Sequence, residues 1–122
     1  MTYADPNATV RREYFAGEAG GGATTEYGKF RSFQKARLKK VHAVVTVAGT
    51  ATTHKLDVYH GTTSISSISL STAAAGGTAS SSPLNEELAS LDQISVKTGA
   101  DAAGKAHVIY EFHAQHDAVQ TA

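Results

Sequence analysis

The strongest hydrophobic pattern in this chain runs from Arg37 to His60 and repeats every second residue. Val41, Ala43, Val45 and Val47 fall on one face, while Lys40, His42, Val44 and Thr46 fall on the other. Beyond Gly49, Leu56 and Val58 alternate with Lys55, Asp57 and Tyr59. Such alternation, rich in β-branched residues, marks half-buried antiparallel strands, so the stretch predicts a long strand, a turn around Gly49 and a second strand. The pattern returns near the end of the chain. Ile94 to Lys97 reads as a strand and Thr98 to Lys105 as a polar connector. Ala106 to His113 is the next strand, with Ala106, Val108, Tyr110 and Phe112 on one face. These two strands are expected to pair as a hairpin.

The segments between are less regular. Ile68 and Leu70 alternate but Ile65 is out of phase, which predicts a bulge. Ser71 to Pro83 is a Ser/Ala/Gly/Thr stretch, expected as a surface loop. Leu84, Leu88 and Leu91 lie at i, i+4 and i+7 with Glu86 and Glu87 near the start, which predicts one short amphipathic helix. Phe30 and Phe33 stand three apart, as in a helical turn or a bulged strand, and both are expected in the core.

Residues 1–28 read as an extended arm, with Val10, Tyr14 and Phe15 as sparse anchors before a glycine-rich run from Gly17. One expectation for such a chain end is a disordered terminus; if it is ordered, at roughly 1–2 kcal/mol per residue, docking on a neighbouring subunit is its expected role. Residues 29–122 make one domain. Its expected class is all-β, an antiparallel β-sandwich of jelly-roll type with one short helix and an extended N-terminal arm.

Composition narrows the function. A chain of 122 residues buries a single core. Eleven basic and eleven acidic residues cancel, so overall charge argues for neither nucleic acid nor membrane. Zero cysteines exclude disulfides and thiol chemistry. No secretory signal is expected, and no apolar run is long enough to span a bilayer. Lys29, Arg31, Lys35, Arg37, Lys39 and Lys40 cluster beside Phe30 and Phe33, a composition that suits single-stranded nucleic acid. No helix-turn-helix, RRM or OB pattern accompanies them, so solvated charges on a strand edge are favoured over nucleic-acid binding.

Candidate chemistry is sparse. His42, His54, His60, His107, His113 and His116 supply no local set of three or four convergent ligands, so no metal is expected. Asp92, Asp101, Glu111 and Asp117 show no pairing that sequence could reveal, there is no Gly-x-Ser-x-Gly elbow, and Gly20-Gly21-Gly22 lacks the lysine of a phosphate loop. The chain is therefore expected to be non-enzymatic, with no catalytic residue and no cofactor.

Two stretches carry a family likeness. One is Leu88 to Phe112, a leucine-spaced turn, Leu91-Asp92-Gln93-Ile94-Ser95-Val96-Lys97, the Gly99-to-Gly104 loop and the strand ending Tyr110-Glu111-Phe112. The other is Lys35 to Ala51, which looks like a first core strand. Over roughly residues 29–113 the chain resembles the small β-sandwich structural proteins of tailed-bacteriophage virions, of the capsid decoration or cement type. The resemblance implies a virion location on the capsid surface, the major capsid protein as partner and a homo-oligomer, a trimer above all. It implies an arm that grips the shell, with Tyr3, Val10, Tyr14, Phe15, Tyr27, Arg31 and Arg37 as partner-binding residues. The alternative is a carbohydrate-binding or host-recognition module on a phage particle. It would stack sugars on Tyr59, Tyr110, Phe30 or Phe33.

Overall fold

The computed structural model describes residues 11–114. Its strands, in chain order, are β1 (Arg11–Gly20), β2 (Glu26–Arg31), β3 (Ala36–Val47), β4 (Lys55–His60), β5 (Thr63–Ser69), β6 (Thr78–Ser80), β7 (Glu86–Leu88), β8 (Gln93–Thr98) and β9 (Lys105–Ala114). They form two antiparallel sheets. The first has the order β1-β9-β3-β6, with β7 paired to β3 beside Ala36–Leu38. The second has the order β2-β8-β4-β5. The chain is thus all-β, arranged like a β-sandwich.

Period-two patterning explains the core. Ala106, Val108, Tyr110 and Phe112 of β9 and Val41, Ala43 and Val45 of β3 are all buried. They join Leu56, Val58, Ile68, Ile94 and Val96 of the second sheet in a single apolar cluster. Burying each Val, Leu or Ile contributes about 1.5–3 kcal/mol, which favours this register over a one-residue slip that would turn the faces out. In β3, Ala36, Leu38 and Val41 are all inward despite the odd step from 38 to 41. A register shift between Leu38 and Lys40 takes up the extra residue. The bulge expected around Ile65 is present, as the pairing with β4 jumps from Ser64 to Ser66.

Several expectations are corrected. The strands either side of Gly49 do not pair, since β3 lies in one sheet and β4 in the other. The same holds for β8 and β9. In each case the connection, residues 48–54 or 99–104, crosses between sheets, a distance of about 10 Å that a loop of this length spans. No described residue is helical. Where the short helix was expected, Leu88 is buried in β7 opposite Ala36, Leu84 is half-buried, and Leu91 is exposed. A two-turn helix is marginal by itself, whereas Glu86–Leu88 completes hydrogen bonds along the free edge of β3. Leucines four apart also share one face of a strand, so the pattern fitted both. The Ser71–Pro83 loop contains β6. Val47, expected inward, is 45% exposed past a register shift after Val45.

Residues of the expected arm take part in both sheets. β1 pairs with β9 from Arg11 opposite His113 to Gly20 opposite Lys105, with a bulge between Phe15 and Gly17. The division expected at residue 28 falls inside β2. Tyr3 and Val10 lie outside the described residues, as does the tail beyond Ala114.

Candidate functional site

Alternation along β1 sends its two central aromatics to opposite sides. Tyr14 stacks on Phe112 at 5.4 Å and meets Phe30 at 4.8 Å. Tyr27 is half-buried against the same core. These two rings bind β1 and β2 to the body. Phe15 points outward, 62% exposed, with its ring 5.0 Å from that of His107.

The basic residues find partners close by. Lys29 meets Glu26 at 3.5 Å, while Lys35 and Arg37 share Glu87 at 3.6 and 3.8 Å. Lys39 donates to the Asn85 side chain at 3.2 Å. Arg31 donates to the Leu91 carbonyl at 2.7 Å and to the Gln93 side chain at 3.1 Å. Carboxylates thus pair with Lys29, Lys35 and Arg37, while Arg31 and Lys39 engage neutral acceptors.

Arg31 leads to the most exposed apolar feature. The β2–β3 loop and the β7–β8 loop lie side by side at one end of the sheets. Leu91 N–H donates to the Ser32 carbonyl at 2.6 Å, and Ser90 Oγ donates to the Phe33 carbonyl at 3.1 Å. Ser32 Oγ closes its own loop on the Gln34 carbonyl at 2.7 Å. On this tied framework Phe33 is 85% exposed and Leu91 48% exposed. Phe33 is therefore not core, as had been expected from its spacing to Phe30. A step of three cannot keep both rings on one face of a strand, and β2 ends at Arg31. Leu91 also has a φ of 71°, a left-handed conformation that costs a branched side chain about 1–2 kcal/mol. Leu91→Gly should relieve this strain. In urea titrations Leu91→Gly is expected to be more stable than Leu91→Ala by roughly 1 kcal/mol. The reverse order would show that the backbone at 91 is not strained.

Two histidines join groups that are distant in sequence. His60, at the end of β4, holds Glu86 Oε2 through Nδ1 at 2.7 Å and Asp92 Oδ2 through Nε2 at 3.0 Å. A neutral imidazole has one N–H, so only the imidazolium donates to both carboxylates. The Glu86 hydrogen bond is the main cause raising the His60 pKa, and the His60 hydrogen bond is the main cause lowering that of Asp92. His42, on the outer face of β3, has Ser80 Oγ at 2.8 Å from Nδ1 and Glu111 Oε1 at 2.9 Å from Nε2. Here a neutral ring suffices, donating from Nε2 and accepting the serine proton at Nδ1.

Hydroxyl, imidazole and carboxylate in a row resemble a hydrolytic triad, which sequence reasoning did not find. It could be found only from register, since Ser80 faces His42 across β3 and β6. Acyl transfer also needs paired donors aimed at the oxyanion. Ser80, His42 and Glu111 stand on β6, β3 and β9 of one sheet. The row is best understood as a cross-strand ladder. Among the described residues no three metal-ligating side chains gather. Of the platforms for the carbohydrate alternative, Tyr110 is fully buried and Phe30 packs on the core, whereas Tyr59 is half-buried and Phe33 is exposed.

Compared with known proteins, the chain matches no family model and no curated protein sequence.

Proposed function

We propose that this protein is a non-enzymatic virion structural protein of the capsid-decorating type, with a jelly-roll body. The strand orders β1-β9-β3-β6 and β2-β8-β4-β5 carry this reading. With β6 and β7 taken as one interrupted edge, these orders fit the two four-stranded layers expected of a chain folded through two Greek keys. That architecture recurs in viral capsid and lectin domains. Fold alone does not assign function. The virion reading adds the likeness to phage decoration proteins and the exposed Phe33 and Leu91 on a tied framework. Its partner is the major capsid protein, it acts as a homo-oligomer on the capsid surface, and the N-terminal segment adds contacts to the shell.

The test is co-sedimentation with shells assembled from the co-encoded major capsid protein. Deleting residues 1–28 would be a poor test, since it strips β1 and part of β2 and uncovers Phe112. Deleting 1–10 leaves every described contact in place. The full chain should bind shells, the 1–10 deletion should bind at least about tenfold more weakly with an unchanged circular dichroism spectrum, and light scattering should give a trimer. A full chain that does not sediment with shells would overturn the reading.

A further inference from the structure

We propose that the loop-closed end bearing Phe33 and Leu91 is held by a proton-dependent clip centred on His60, firm while the imidazole is charged and slack once it gives up its proton. As a docking surface on the shell this end rests on the capsid reading above; the clip itself does not.

The geometry is a chain of single contacts. His60 reaches β7 through Glu86 and the β7–β8 loop through Asp92. Asp92 Oδ2 also accepts the Ala89 N–H at 3.0 Å, which folds the loop back on itself. From that loop, Leu91 N–H and Ser90 Oγ hold the Ser32 and Phe33 carbonyls. Arg31 steadies the other side through the Leu91 carbonyl and lies near enough to act on the Asp92 charge. The charged groups facing the ring are therefore Glu86 and Asp92, with Arg31 behind Asp92. Glu87, Lys35 and Arg37 are engaged with one another nearby.

Deprotonation leaves one ring nitrogen with a lone pair against a carboxylate oxygen. One contact must then open, which releases from β4 either β7 at Glu86 or the β7–β8 loop at Asp92, and in both cases the bridge between the two carboxylates is lost. The sign follows from linkage. A raised His60 pKa stabilises the closed clip below the ordinary histidine value and loses that contribution as pH climbs through the folded pKa. A lowered Asp92 pKa stabilises it above the ordinary aspartate value and loses that contribution as pH falls through the folded pKa. The clip is closed between those limits.

Amide hydrogen exchange, corrected for intrinsic rates, reads the clip directly. In the wild-type chain, protection at residues 89–92 should fall between about pH 5.5 and about pH 8.5, while β3 and β9 stay unchanged. The fall should be about tenfold for each pH unit by which the folded His60 pKa exceeds its free value. His60→Gln should show low protection at both pH values. The wild-type ring supplies a reading that needs no variant, because nitrogen NMR should find both nitrogens protonated at about pH 6. Protection independent of pH, a His60→Gln chain that keeps the wild-type pH response, or a single-N–H tautomer at that pH would each overturn the clip. Shell binding measured at the same two pH values should weaken with the loop. If shells bind at neither pH while exchange stays proton-dependent, the capsid reading fails and the clip is supported.

Discussion

Gly104→Ala should be among the most damaging single substitutions in this protein, lowering stability by about 3 kcal/mol and the melting temperature by on the order of 10 °C. The reason is His54. Its ring is 3% exposed, and a methyl group at Gly104 would collide with Nε2 and stand 2.7 Å from Cδ2. Gly49 lies against the same ring, and a methyl group there would come within 2.6 Å of Cδ2. The ring cannot retreat, because the two crossing loops are clamped beside it. Asp101 accepts N–H bonds from Ala103 at 2.9 Å, Ala51 at 3.0 Å and Thr50 at 2.6 Å. These bonds, with that of Ala103 foremost, hold its carboxyl down to about 2. Among the described residues neither ring nitrogen has a hydrogen-bond partner, and the ring fills the space between the two loops. A double-mutant cycle gives the clean test. In His54→Ala the second substitution Gly104→Ala should cost far less than in the parent, with a coupling of about 2 kcal/mol. Simple additivity would mean that the two positions do not meet.

The second large effect is expected at Tyr110, the biggest fully buried side chain. It stands on β9 in the first sheet, and its hydroxyl donates to the Gly28 carbonyl on β2 in the second at 2.7 Å. Burial raises its pKa, which keeps the hydroxyl protonated and donating throughout the accessible range. Tyr110→Ala removes a ring that packs 6.0 Å from Phe30 and should cost about 3–5 kcal/mol. Tyr110→Phe keeps the ring and orphans the Gly28 carbonyl, at about 1–2 kcal/mol. Chemical denaturation distinguishes the two contributions. If Tyr110→Phe were as stable as the parent, water would be reaching Gly28 and the cross-sheet bond would add nothing.

Much of this was legible residue by residue. The inward faces of β3 and β9 follow from alternation alone, and Ile65 falling out of phase announced its bulge. The failures share a cause. Leu84 and Leu88, four apart, satisfy the period of a helix and of a strand, and only the free edge of β3 selects the strand. Phe33 reads as core by composition, yet it follows the end of β2 and projects outward. The residues with the most chemical interest gave no local sign. His60 finds Glu86 and Asp92 at separations of 26 and 32, and His42 finds Ser80 and Glu111 at 38 and 69.

The chain alone establishes which side of each strand turns inward, because that depends on residues two apart and on the apolar area they bury. It does not establish where each strand goes. A period-two strand can pair with the next one or cross to the opposite sheet at little local cost, and the choice between these is settled by packing summed over the whole core. That is why β3 and β4, adjacent in sequence and alike in pattern, lie in different layers. It is also why the His60 clip and the glycine walls around His54 come into being only when the two sheets close on one another.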